Sequence, residues 1–285
     1  MVISMRMSGG ANSLTSSTRM IKRYRLTPGR GLRWSAVNPA DQGEFQHEAA
    51  ALDETESHVR KMDPLQERLY AEGKRSLLII LQGMDTSGKD GTIRHVMRGI
   101  NPQGCQVTSF KAPTPAERSH DFLWRIHQHV PAKGMIGIFN RSHYEDVLIT
   151  RVHGDVSKAE AAARYREIND FERMLGKNGV TIIKLFLAIS KDEQRRRLQA
   201  RVDDRQKRWK FSPADLTERR YWDRYIHAYV HACSATSTTH APWYVIPADH
   251  KWYRNYLVAK IVAGTLKKMK PKIPPAAASS RITVK

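Results

Sequence analysis

The stretch "SLLIILQGMDTSGKDG", Ser76–Gly91, decides how the rest of the chain is read. Its first seven residues are apolar enough for a strand buried on both faces, and the next seven fit G-x-x-x-x-G-K at Gly83, Gly88 and Lys89. A turn of this kind lets the backbone approach phosphate oxygens closely, aims N–H groups at the start of a helix towards them, and brings a lysine to the transferring end. Thr86, Ser87, Asp90 and Gly91 complete the candidate phosphate-binding loop. Two carboxylates break the usual chemistry: Asp85 lies inside the loop, and Asp90 stands where a Ser or Thr normally succeeds the lysine. Asp90 could cap the helix or touch a metal, and Asp85 could orient a divalent ion or an attacking phosphate.

Working outward, apolar runs alternate with helical stretches. Strands are expected at 76–82, 105–111, 134–140, 180–188 and 243–247, and helices at 49–73, 89–99, 115–130, 157–176, 214–232 and 250–268. That rhythm predicts an α/β fold, a mostly parallel sheet covered by helices on both faces. The segment "KDEQRRRLQARVDDRQKRWKFSPADL" interrupts it with few aliphatic residues. Arg197, Arg201, Arg205 and Arg208 would share one face of a continuous helix over 191–210, so a basic helical lid is expected at about 191–213. Residues 1–21 are expected to be a flexible segment, 22–268 a single domain, and 269–285 a flexible tail.

A second cluster of chemistry-bearing residues ends the third strand, in "GIFNRSHYEDVL". Open α/β sheets bind ligands beyond the carboxyl ends of their strands, which is where this run delivers Arg141, His143, Tyr144, Glu145 and Asp146. Either acid could hold Mg²⁺ while Arg141 neutralises phosphate. His143 has no second histidine at ligand spacing and reads more readily as structural.

Composition narrows the partners. The chain has 285 residues, 48 Lys and Arg against 28 Asp and Glu, and a formal charge of +20. That charge attracts anions generally, whether nucleic acid, a membrane surface or a phosphate polymer. No apolar run is long enough for a membrane span, and the two cysteines form no disulfide framework, so a cytoplasmic protein is expected.

Four separated motifs, "LQGMDTSGKDGTIRHVM", "GIFNRSHYEDVL", "RWKFSPADL" and "APWYVIPADHKWYRNY", resemble the second family of polyphosphate kinases, and the likeness spans about residues 22–268. The resemblance implies a P-loop kinase-like core similar to thymidylate kinase and reversible phosphoryl transfer between inorganic polyphosphate and nucleotides, with Mg²⁺ or Mn²⁺ as cofactor. It also implies Asp85, Lys89, Arg141 and Asp146 as catalytic residues, with Asp85 and Asp146 at the metal. Arg118, Arg197, Lys207 and Arg208 are implied as phosphate-binding. "KMDPLQERLYAEGKRSLLIILQGMD" and "HAPWYVIPADHKWYRNY" look like the subgroup that accepts AMP and ADP, and oligomers are common in the family. Two rivals stay open: an ATP-dependent nucleotide kinase, which would place a Ser or Thr after Lys89, and a non-enzymatic nucleic-acid binder, which would leave the loop acids unexplained.

Overall fold

Where apolar residues run without interruption, the chain forms strands buried on both faces. The computed structural model describes residues 20–275, and in it four such strands and a more exposed edge strand make one parallel sheet. They are β1 (Ser76–Gln82), β2 (Cys105–Ser109), β3 (Ile136–Asn140), β4 (Val180–Ala188) and β5 (Trp243–Pro247), in the order β2-β3-β1-β4-β5. β1 lies at the centre, with Leu77–Leu81 in register with Ile136–Asn140 on one side and Ser76–Gln82 with Val180–Phe186 on the other. The carboxyl ends of β1 and β3 are therefore adjacent, and their connecting turns open onto one crevice.

Helices cover the sheet. α1 (Glu48–Glu72) stops where Gly73 takes φ 60°, and it packs against the last helix, α10 (Lys251–Met269). Between them come α2 (Lys89–Val96), the one-turn helices α3 (Pro115–Arg118) and α4 (Trp124–His127), α5 (Glu145–His153), α6 (Lys158–Lys177), α7 (Lys191–Asp203), α8 (Pro213–Arg220) and α9 (Trp222–Thr236). The basic arm after residue 20 runs along the free edge of β5: Arg25 forms an antiparallel bridge to Tyr244, and the Leu26 N–H donates to the Trp243 carbonyl at 2.8 Å. No helix among the described residues is long and apolar enough to cross a membrane.

Three sequence expectations change. The helix expected over 115–130 is two single turns, because Thr114 caps α3 and the Asp121 carboxylate accepts from the Leu123 N–H at 3.0 Å to form a separate turn. The helix expected over 214–232 is interrupted at Tyr221, which leaves helical geometry between α8 and α9. The basic helix over 191–210 ends at Asp203: Asp204 is extended, and its carboxylate takes the Gln206 N–H at 2.9 Å and the Lys207 ammonium. Arg205 and Arg208 consequently leave the face that carries Arg197 and Arg201, so four arginines on one continuous helix do not form. The flexible ends expected at 1–21 and 269–285 lie largely outside the described residues.

Candidate functional site

β1 delivers the chain to the loop, and α2 takes it away. Thr86 sits at φ 63° and Gly88 at φ 101°. A side chain on Gly88 would collide with the Arg254 guanidinium, its Cβ lying 1.9 Å from Nη1, so only glycine fits here. The first N–H groups of α2 have no intrahelical acceptor and face the crevice side of the loop. Lys89 is buried, and its ammonium folds back to donate to the Gly83 carbonyl at 2.7 Å and, more weakly, to Met84 at 3.4 Å. Burial, and then Arg141, depress its pKa, while Asp85, Glu145 and Asp90 work the other way. The hydroxyls of Thr86, Ser87 and Thr92 are buried without a hydrogen-bond partner. Orphaned hydroxyls in the loop and the first turn of α2 suit a site built to receive phosphate oxygens.

The opposite wall is the turn after β3. Arg141 adopts φ 64°, a conformation non-glycine residues take rarely, and its N–H donates to the Leu81 carbonyl at 3.1 Å. Its guanidinium joins the two acids of the crevice, reaching Asp85 Oδ1 at 3.0 Å and Glu145 Oε2 at 3.5 Å. Burial opposes the Arg141 charge, but Glu145 and Asp85 outweigh it and hold its pKa above the ordinary arginine value. Glu145 is raised because its burial outweighs the pull of Arg141 and Lys89. In the orientation that satisfies its neighbours, the Gln82 amide donates to Glu145 Oε1 at 2.9 Å and accepts from Ser142 Oγ at 3.1 Å. Asp90 does not cap α2; its Oδ1 accepts from Asn140 Nδ2 at 2.7 Å, tying the start of that helix to the end of β3.

Two arginines hold the loop from beneath. Arg197 donates to the carbonyls of Thr86 (2.9 Å), Ser87 (3.3 Å), Ala248 (2.6 Å) and Asp249 (2.8 Å), and its Nε reaches Glu193 at 2.7 Å. Arg254 is 3% exposed and donates to the Ser87 carbonyl at 3.0 Å; burial first, and Arg197 second, lower its pKa. Arg197 therefore fastens α7, the loop and the β5–α10 turn to one another, with its donors already engaged. Arg197→Met is expected to destabilise the fold by about 2–4 kcal/mol, read as a fall in Tm, because it removes the donor that four carbonyls share and leaves Glu193 with Arg196 alone. An arginine that only gripped phosphate would instead raise KM at constant Tm.

The remaining sequence candidates lie apart from this group. Asp146 turns towards Arg125, with Oδ2 3.7 Å from Nη2, and burial raises its pKa. Among the described residues it shares no hydrogen bond or ion pair with Asp85, Lys89 or Arg141, so the acid brought together with Asp85 is Glu145. Arg118 is exposed on α3 and donates to the Pro113 carbonyl at 2.7 Å. Lys207 pairs with Asp204, and Arg208 donates to the Val202 carbonyl at 2.9 Å; among the described residues neither has a hydrogen bond or ion pair to Asp85, Lys89 or Arg141. Trp243, Tyr253 and Tyr256, in the aromatic run near the end of the chain, are fully buried and pack the core. Sequence reading missed Gln82, Asn140 and Arg254. Only Asn140, an amide closing an apolar strand beside the crevice, carried a usable signal.

A glycine-containing loop after the central strand, a neighbouring acid and arginine turn, and an all-parallel sheet flanked by helices define an α/β protein of P-loop kinase-like architecture. The chain matches the polyphosphate kinase 2 family over residues 46–274 and belongs to it. It is 50% identical over 266 residues to the AMP/ADP-polyphosphate phosphotransferase of Meiothermus ruber, covering 93% of this chain and 100% of that protein. It is 48% identical over 230 residues to the ADP-polyphosphate phosphotransferase of Rhodopseudomonas palustris, covering 76% of this chain and 80% of that one. Among solved structures, the polyphosphate kinase 2 of Arthrobacter aurescens TC1 superposes with a TM-score of 0.87 at 43% identity, over 98% of this chain and 96% of that one.

Proposed function

We propose that the protein catalyses reversible phosphoryl transfer between inorganic polyphosphate and nucleotides, phosphorylating AMP and ADP. The likeness to the AMP/ADP-polyphosphate phosphotransferase of Meiothermus ruber, over that protein's whole length, carries the choice of substrates. The crevice supports the chemistry. An oxygen of the nucleotide's terminal phosphate forms a bond to the end phosphorus of polyphosphate; the bond to the next bridging oxygen breaks, and the shortened chain leaves with that electron pair. A nucleotide phosphate is already largely ionised near neutral pH, so no strong general base is needed. The loop N–H groups and Lys89 hold the transferring phosphoryl group, and Arg141 neutralises charge on its far side.

The residues fit Mg²⁺, or Mn²⁺ in its place. Mg²⁺ is held by one or two carboxylates together with substrate phosphates and water, and the crevice offers Asp85, whose side chain is 32% exposed, beside orphaned loop hydroxyls. Among the described residues no ready-made group of three or more His, Cys, Asp or Glu exists, which suits an ion that arrives with phosphate. Once bound, the ion would draw charge from the phosphate oxygens as the bond changes hands. Asp85 is the residue best placed to hold it, Glu145 stands behind Arg141, and Asp146, the second metal residue implied by resemblance, would have to leave Arg125 to join them. Lys207, Arg208 and Arg118 could meet the outer part of the chain through their exposed charge. The same reading takes the protein as a cytoplasmic homo-oligomer with no nucleic-acid partner.

The test supplies AMP, ADP or GDP with either purified polyphosphate or a nucleoside triphosphate and monitors both directions. Polyphosphate-dependent formation of ADP and ATP is expected. Conversion only with the triphosphate would assign an ATP-dependent nucleotide kinase, and tight RNA binding without transfer would assign a nucleic-acid binder.

A further inference from the structure

Beneath the turn that carries Arg141 and Glu145 lies a buried charge pair that the reaction does not use. Lys184 lies inside β4, in register with Ile80 of β1 and Trp243 of β5, and is fully buried. Its ammonium donates to Glu172 Oε2 of α6 at 2.5 Å, to the Tyr144 hydroxyl at 2.9 Å and to the Thr236 carbonyl at the end of α9 at 2.7 Å. Tyr144 in turn donates to Glu172 Oε1 at 2.9 Å, and His143 Nε2 lies 3.4 Å from the same oxygen. Glu172, Tyr144, His143 and Thr236 are all fully buried. The Lys184 ammonium also stands over the Tyr144 and Trp243 rings, at 5.3 and 5.4 Å.

Such a pair is a poor stabiliser, since removing two charges from water takes about as much free energy as their attraction returns; hydrophobic residues of equal volume would often serve stability as well. What a fully hydrogen-bonded buried pair does supply is direction: each partner has one place to be. Here the partners include two consecutive residues of the turn, soon after a residue held at φ 64° and directly before Glu145. Strained backbone persists only where the surroundings over-determine it. On one side the turn is fixed by the Arg141 N–H on the Leu81 carbonyl; on the other, the insertion of Tyr144 and His143 into the pair fixes it.

We propose that Lys184 and Glu172 are positioning residues for phosphoryl transfer, holding Tyr144 so that Arg141 and Glu145 meet Asp85 and the loop. The proposal rests on the reading of that crevice as the transfer site.

The decisive variant is the double substitution Lys184→Met with Glu172→Met, which removes both charges and roughly keeps volume. Tyr144→Phe, which keeps the ion pair but removes its shortest link to the turn, accompanies it. Each is compared with the wild-type chain in one polyphosphate-dependent assay, with Tm measured alongside. The expected result for the double variant is a folded protein whose Tm falls because the Tyr144 hydroxyl and the Thr236 carbonyl lose their buried partners, with kcat lower by at least about tenfold and KM for AMP and polyphosphate changed less than about twofold. For Tyr144→Phe a fall of about fivefold in kcat is expected at unchanged Tm. Wild-type kcat in a folded double variant overturns the proposal. If the double variant does not fold, wild-type kcat in Tyr144→Phe overturns it instead. Absence of transfer by the wild-type chain itself is the separate failure of the functional reading.

Discussion

Replacing Lys89 by alanine is expected to lower polyphosphate-dependent turnover by about 10³-fold, with the loss mainly in kcat and with Tm little changed. The residue is 8% exposed and its ammonium's hydrogen-bond partners are two loop carbonyls, so folding has already stripped its water without supplying a counter-charge in direct contact. Asp85, Glu145 and Asp90 favour its charge from farther off. An incoming phosphate offers the missing partner, and Nζ need only exchange the Gly83 carbonyl for a phosphate oxygen. Because negative charge on the transferring group is redistributed as the bond breaks, the interaction is stronger at the transition state than at binding, which places the effect in kcat. Stability should be spared because the substitution removes a desolvated charge whose carbonyl partners can be met by water in the open crevice. Rates and Tm of the purified variant check both halves. Turnover within about tenfold of wild type in a folded protein would remove Lys89 from the mechanism.

The parts of the molecule that sequence made plain are those where one physical requirement dominates. A strand buried on both faces must be mostly apolar, and β1, β4 and β5 have the bounds their composition predicts. The loop after β1 was legible as a tight strand-to-helix turn because its glycines mark it in sequence, and Gly88 stands at φ 101°. Elements ended by side-chain competition were not legible. Asp121 and Asp204 each capture a nearby backbone N–H and close a turn, but spacing alone reads across them as helix.

The candidate site divides the same way. Arg197 reads in sequence as one of a set of clamps; only the fold shows its fork filled by four carbonyls and Glu193. Glu145 and Asp146 were interchangeable in sequence because neighbours at a helix start point about 100° apart, and which one faces Arg141 depends on the phase with which α5 leaves β3. Lys184 did leave a trace, a lone lysine inside "VTIIKLFLA", a strand with no solvent-facing side. Its partners come from α6, α9 and the turn after β3, so the sequence signals a buried cation and the fold alone identifies its role.

The carboxylate at Asp85 should matter nearly as much as the lysine: Asp85→Asn is expected to lower turnover by about 10²- to 10³-fold while the protein stays folded. Asparagine preserves size and can still accept one hydrogen bond from Arg141 Nη2, now 3.0 Å from Oδ1, and Arg141 keeps Glu145 at 3.5 Å. What disappears is one negative charge at the mouth of the loop, where two polyanions must meet. Two mechanisms predict that loss and differ in a second measurement. If Asp85 holds the divalent ion, Asp85→Asn moves the midpoint of the Mg²⁺ or Mn²⁺ activation curve to higher concentration, and saturating metal restores part of the rate. If it only aims Arg141, the midpoint stays in place and saturating metal restores none of the rate. The half-exposed Asp85 carboxylate and the orphaned hydroxyls of Thr86 and Ser87 favour the first outcome. Full turnover in a verified Asp85→Asn protein would exclude both, and the loop acid would then be a turn-forming residue alone.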